Sequence, residues 1–424
     1  MTTSARPHLD PETVLAQHLP TDLTRTVLAR TVATLELDVV GRGRWTVHLD
    51  RGRVTVSPGA TDRPTATVRL HASTLQELLL GEVSGVDAFL ARDLVVRGSL
   101  ATVLQVGGSF APDVDLPSRP RAREVSALGA RTAYLDAGPA DAPPVVLLHG
   151  LGATNASMLP LLAGLARDYR VFSPDTPGFG ASEAPPWSYT AEQLQRWLRS
   201  FLDEVGATAH GPVAVIGNSL GGRLALELAL RDPSSVDKLV LLCAAPAFRR
   251  KRQLAPVARR VPAGIGRVPV GMPRAMVIRF IKSMFADPTR VPDTWYESAA
   301  DENAEAMGHA GHRRALVSAA LNIYTDEPFG EDGFWKRLRA LAPPALFLWG
   351  TEDRLVPASF ARHVAEAVPS ARSMVLPRCG HVPQLELPEL TVALTRSFLT
   401  PGRGRATPST VLDRYLATPT QPAP

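Results

Sequence analysis

Four short apolar runs constrain this chain most strongly. Pro144-Val-Val-Leu-Leu148 ends at His149-Gly150, and Val213-Ala-Val-Ile216 ends at Gly217. Leu239-Val-Leu-Leu242 ends at Cys243, and Ala345-Leu-Phe-Leu-Trp349 ends at Gly350. A continuous apolar run of this length reads as a strand buried on both faces. Amphipathic stretches, such as Ala191–Val205 and Gly221–Leu230, lie between the runs. Strand and helix in alternation predict an α/β architecture, a mostly parallel sheet with helices on both faces. In such sheets, functional groups collect just beyond the carboxyl ends of the strands.

The first 115 residues follow another pattern. Arg44–Asp50 and Arg53–Ser57 alternate with period two around Asp50-Arg51-Gly52, which predicts a hairpin. Ala66–His71 and Leu94–Gly98 read as further strands, Leu100–Val106 as a helix, and Ser73 as the N-cap of a helix carrying Leu75, Leu78 and Leu79. This is a small α+β unit. The Pro-rich stretch 113–120 marks a linker, set at 116–125, with the second domain running over 126–400. The tail 401–424 reads as flexible, with a short helix near Val411–Leu416.

The chain has 424 residues, 45% hydrophobic and 21% charged, which excludes a mainly disordered or collagen-like protein. Two cysteines, Cys243 and Cys379, exclude a disulfide scaffold and fit a reducing, cytoplasmic setting. No 18-residue apolar stretch predicts a membrane span, and the N-terminus carries no secretory pattern. The net charge of +5 is local rather than general. Residues 1–120 hold 12 basic and 13 acidic side chains, whereas 246–285 hold ten basic and no acidic ones. That distribution argues against a nucleic-acid partner.

The chemistry centres on Gly217-Asn218-Ser219-Leu220-Gly221, which leaves one apolar run and opens a helix. A turn this sharp needs small residues two before and two after the serine, and it lifts the hydroxyl above the sheet. A serine hydroxyl needs a base, and the base needs an orienting acid. Asp353 follows the strand ending at Trp349, with Glu352 as a rival; His381 lies in Arg378-Cys-Gly-His-Val-Pro, with His363 as a rival.

On these motifs, residues 126–400 resemble the α/β-hydrolase superfamily. His149-Gly-Leu-Gly152 resembles its oxyanion loop, Asp175-Thr-Pro-Gly-Phe-Gly-Ala-Ser182 its D-x-P-G-x-G-x-S loop, and Trp349–Pro357 its W-G-x-x-D-x-x-x-P segment. Gly380-His381, with Glu386 five residues on, completes the set. The resemblance implies Ser219 as nucleophile, Asp353 as acid, His381 as base, and the N–H groups of Leu151 and Leu220 as the oxyanion hole. It implies no cofactor. His149 and Asp175 are expected to brace loops. Residues 33–115 resemble a sterol-carrier-protein domain, which implies an apolar cavity for lipid tails.

The insertion 246–340 stands where this superfamily places its cap. Arg249, Arg250, Lys251, Arg252, Arg259, Arg260, Arg267, Arg274, Arg279 and Lys282 alternate there with apolar residues. Three readings stay open: contact with an anionic membrane, reception of an acidic substrate, and a solvated cap face. The implied activity is hydrolysis of an apolar ester, esterase- or lipase-like. Asn218 and Cys379-Gly-His381 also resemble the meta-cleavage-product hydrolases, which break carbon–carbon bonds. Ala153-Thr154 and Val382 depart from that pattern. A lipid-binding or transfer protein with an idle hydrolase fold is the third reading.

Overall fold

The computed structural model describes residues 10–19, 23, 27–107, 114, 116–244, 272–400 and 406–417. The N-terminal unit is a five-stranded sheet of β1 (Val32–Val39), β2 (Gly43–Asp50), β3 (Arg53–Pro58), β4 (Ala66–Leu70) and β5 (Leu94–Gly98). Its order is β3-β2-β1-β4-β5, with β1 and β4 parallel and the other pairs antiparallel. The hairpin closes as expected, with Asp50 opposite Arg53. Arg51 and Gly52 both have positive φ, 47° and 85°, the pairing that two-residue hairpin turns require. Helices α1 (Pro11–His18), α2 (Ala72–Leu80), α3 (Gly85–Leu90) and α4 (Leu100–Gly107) accompany this sheet.

The cap of α2 falls two residues earlier than expected. His71, not Ser73, is the N-cap, because β4 ends at Leu70 and the His71 carbonyl takes the first helical bond, from Leu75 N–H at 3.0 Å. Strand β1 carries no clean alternation in sequence. Glu36 sits between Leu35 and Leu37 yet is buried, held by Arg44 and by the N–H of Thr61.

The second sheet has eight strands: β6 (Arg121–Ala127), β7 (Ala130–Ala137), β8 (Pro144–Leu148), β9 (Arg170–Pro174), β10 (Val213–Asn218), β11 (Val236–Leu242), β12 (Ala345–Gly350) and β13 (Arg372–Leu376). The order is β13-β12-β11-β10-β8-β9-β7-β6, parallel from β13 through β9, with β7 and β6 antiparallel at one edge. All four apolar runs are strands of the parallel block. The linker is shorter than the sequence suggests. Residues 121–125 belong to β6, paired from Arg121 opposite Asp136 to Ala127 opposite Ala130, so the connection is shorter than 116–125.

Helices α5 (Leu159–Leu165), α6 (Ala191–Glu204) and α7 (Leu220–Arg231) pack on the sheet. Between β11 and β12 the described insertion contains α8 (Arg274–Lys282), α9 (Asp293–Gly308), α10 (Ala310–Thr325) and α11 (Phe334–Leu338). The basic residues from Arg249 to Arg267 lie outside the described residues. After β12 come α12 (Phe360–Ala367), α13 (Pro383–Glu386) and α14 (Pro388–Leu399). The helix expected near Val411–Leu416 is present and longer than expected. Residues 408–417 form α15 (Pro408–Ala417), whose Val411, Leu412 and Tyr415 pack on the main core. Among the described residues, no helix is long and apolar enough to cross a membrane.

Candidate active site

Ser219 stands between β10 and α7 with φ 53° and ψ −111°. A non-glycine residue held there is strained, and the surroundings must over-determine it. Two glycines do so. A Cβ on Gly217 would fall 2.3 Å from the Gly221 carbonyl carbon, and one on Gly221 would fall 2.2 Å from the Leu148 oxygen. Only glycine lets β10, α7 and the end of β8 approach this closely, which is why the turn has its sequence.

The imidazole of His381 hydrogen-bonds through Nδ1 to Asp353 Oδ2 at 2.7 Å. A carboxylate oxygen only accepts, so Nδ1 carries the proton and Nε2 is left as the basic nitrogen. Asp353 is buried, and its other oxygen accepts from the N–H groups of Leu355 and Val356, both at 2.8 Å. Glu352 is exposed, and His363 lies on α12 against Trp335 and Phe360. Neither rival joins this pair.

Asn218 ties the serine turn to the histidine loop. Its buried side-chain amide donates to the Leu242 carbonyl at 3.1 Å and to the His381 carbonyl at 3.0 Å. The residue preceding Ser219 is thus bonded to His381 itself. Ser219 Oγ makes no hydrogen bond to the described residues.

Opposite Ser219, a Cβ on Gly150 would meet Ser219 Cβ at 3.4 Å. Leu151 follows on that loop, half-buried, and Leu220 is the buried first residue of α7. Neither backbone N–H makes a hydrogen bond to the described residues. His149 braces the loop as expected. Its Nε2 accepts from Thr176 N–H at 2.9 Å, so Nδ1 donates to the Gly150 carbonyl at 2.8 Å. Burial pulls this imidazole down to about 4, so it stays neutral. Asp175 is buried and accepts from Asn155 and Ala181 N–H groups, at 2.8 and 2.9 Å. Burial lifts its carboxyl to about 6.

Residues 145–394, more than half of the chain, match the model of the alpha/beta hydrolase family. The chain belongs to that family. Residues 12–111 match the SCP-2 sterol transfer family. A 2-hydroxy-6-oxo-6-(2'-aminophenyl)hexa-2,4-dienoic acid hydrolase of Metapseudomonas resinovorans is 28% identical over 285 residues, covering 65% of this chain and 90% of the relative. A pimeloyl-[acyl-carrier protein] methyl ester esterase of Aeromonas hydrophila is 29% identical, covering 61% of this chain and 95% of the relative. Among solved structures, a serine hydrolase involved in carbazole degradation is 25% identical, with a TM-score of 0.54 over 66% of this chain and 98% of that one.

The hydrolase domain holds its histidine loop against the cap through a residue whose role the sequence did not disclose. Glu386 is fully buried and accepts from Gly380 N–H at 2.7 Å, Asp287 N–H at 2.8 Å and Ala286 N–H at 3.2 Å. His381 N–H donates to the Met284 carbonyl at 2.6 Å. Val382 packs with Phe285, Val291 and Tyr296 in a separate apolar cluster of the cap. Cys243 lies beside Asp353 and His381. Burial, then the Asp353 charge, pushes its thiol well up, so it stays protonated and does not compete as nucleophile.

The cap cations that are described are largely paired within the cap. Arg274 bonds Asp301 and Lys282 bonds Asp293 on α9. The neighbouring Met272, Met276 and Phe280 are exposed.

Proposed function

We propose that this protein is a serine hydrolase that cleaves an apolar carboxylic ester. One arrangement supports the reading: Asn218, next to the strained Ser219, is bonded to the His381 carbonyl, and Asp353 holds Nδ1 of that imidazole. Ser219 Oγ attacks the ester carbonyl while His381 Nε2 takes its proton. Asp353 fixes the tautomer and stabilises the imidazolium. The N–H groups of Leu220 and Leu151 hold the oxyanion, each contributing about 10²–10³ in rate. The imidazolium returns its proton to the departing alcohol, and water, activated by the same nitrogen, releases the acid. The residues used need no cofactor. The N-terminal domain holds a lipid chain in its apolar cavity.

Glu386 acts in this scheme as a positioning residue. Glu386→Gln keeps the volume but removes one acceptor, and it is expected to lower kcat by about tenfold to a hundredfold while KM for a small ester changes little. Steady-state kinetics beside a thermal melt check this; an unchanged kcat in a folded variant removes the role.

Carbon–carbon bond hydrolysis is the second reading. Asn218 and the Cys379-Gly380-His381 run favour it, as does the hydrolase of Metapseudomonas resinovorans among the relatives. Ala153-Thr154 and Val382 weigh against it. The deciding experiment compares kcat/KM for p-nitrophenyl esters of increasing chain length with that for a vinylogous diketone. Ester turnover dominating supports the first reading, and the reverse order replaces it with the second.

A further inference from the structure

We propose that the apolar cavity of the N-terminal domain is an effector site, at which a single-chain fatty acid strengthens the docking of the hydrolase cap through α9. The proposal rests on reading that cavity as lipid-binding. It concerns what the bound chain does to the other domain.

The cavity comprises about 800 Å3 of space outside the protein atoms, part of it open to solvent. Its wall is aliphatic, with Leu35, Val68, Leu79, Val96, Leu100 and Leu104 among the lining residues. Arg119 is the charged member of the lining, which suits a chain with a carboxylate head rather than a neutral one.

Two elements of that wall are gripped by the cap. Ser298 Oγ on α9 donates to the Val96 carbonyl of β5 at 3.1 Å. Glu302, one turn further on α9, accepts from Ala101 N–H at 3.0 Å, in the first turn of α4. Helix N-termini leave such donors unsatisfied, so a cap side chain completes the helix that bears Leu100 and Leu104. Outside the cavity, Arg92 donates to the Arg290 carbonyl at 3.0 Å.

The same helix reaches the active site. Trp295 and Tyr296 pack with Phe285 and with Val382, the residue after His381. The segment that enters α9 carries the Met284 carbonyl and the Ala286 and Asp287 N–H groups that hold the histidine loop. One 16-residue helix therefore bonds the cavity wall through Ser298 and Glu302 and, through Tyr296, shares an apolar cluster with Val382 of the histidine loop.

The sign follows from packing. A chain in the cavity supplies the contacts that β5 and α4 lack on their inner side. A supported wall holds its carbonyl and N–H groups in place for Ser298 and Glu302, so the ligand favours the docked cap. Coupling between two such sites typically amounts to about a fivefold change or more, and it is reciprocal.

The test is amide hydrogen exchange on the full chain, with and without oleate below its micellar concentration. The expected result is slower exchange in 32–107 and, by about fivefold or more, in 284–306. In the double variant Ser298→Ala/Glu302→Ala, protection of 32–107 is expected to remain and that of 284–306 to vanish; if the double variant does not fold, Ser298→Ala, which keeps the Glu302 bond, is expected to reduce the protection of 284–306 while leaving that of 32–107. Protection confined to 32–107 in the wild type overturns the proposal. So does persistence of cap protection in the uncoupled variant, which would place oleate at the cap itself. Failure of oleate to protect 32–107 overturns the ligand class. The readout needs no turnover, so an inactive Ser219 would appear separately, as absent ester hydrolysis.

Discussion

Replacing Ser219 with alanine is expected to reduce p-nitrophenyl butyrate hydrolysis by about 10⁶-fold, to the level left by binding and the oxyanion donors. The fold should be unharmed, because the strain at φ 53° is imposed by Gly217 and Gly221 rather than by the hydroxyl. Asp353→Asn is expected to cost about 10⁴-fold. An amide that presents its NH2 to Nδ1 would force the proton onto Nε2 and leave no base facing Ser219. Both variants are read by initial rates, with near-wild-type circular dichroism as the control. If either keeps more than a tenth of the activity, the assigned roles are wrong.

The largest expected effect on stability lies behind the active site, on α7. Glu227 is fully buried and takes hydrogen bonds from Arg223 at 2.9 and 3.0 Å and from Arg337 at 2.8 and 3.0 Å. Arg223 is itself 2% exposed, stacks on Phe334 and also pairs with Asp326. Glu227→Ala leaves the buried Arg223 guanidinium with Asp326 as its remaining partner, removes the ion-pair partner of the half-buried Arg337, and is expected to cost about 3 kcal/mol. Removing the exposed pair Arg362–Glu366 should cost under about 1 kcal/mol.

The same network sets an acid limb. Burial pushes the Glu227 carboxyl up, but the Arg337 bond and the two arginine charges outweigh it and bring the group down to about 2. The folded state therefore binds fewer protons than the unfolded one between about 4.5 and 2. The contribution is complete above about 4.5 and is lost as pH falls through about 2. Denaturant titrations from pH 6 to pH 2.5 should show a shallower acid decline in Glu227→Gln than in wild type. Parallel curves would assign the acid limb to other groups.

The motifs of the candidate site were legible because each is local. A glycine-flanked serine after an apolar run and an acid after a later strand specify a turn and a strand end wherever the chain goes. Long-range partners were not. Glu386 reads only as a carboxylate after a histidine, since the N–H groups it holds at Ala286 and Asp287 lie about a hundred residues away. Residues 121–125 look like a Pro-flanked linker, because β6 is an edge strand with one paired side and little burial. Strand β13 is likewise an edge, exposed over much of its length, and lacks an apolar run. Ser73 failed as a cap because the end of β4, not local propensity, decides where α2 starts.

The proposed chemistry depends on the reactivity of one hydroxyl. Its most direct measurement is mass-spectrometric mapping of the full chain after treatment with a fluorophosphonate. The expected result is a single adduct on the peptide containing Ser219, formed far more slowly in His381→Ala. A folded protein that stays unmodified, or that carries its adduct on another residue, would contradict it.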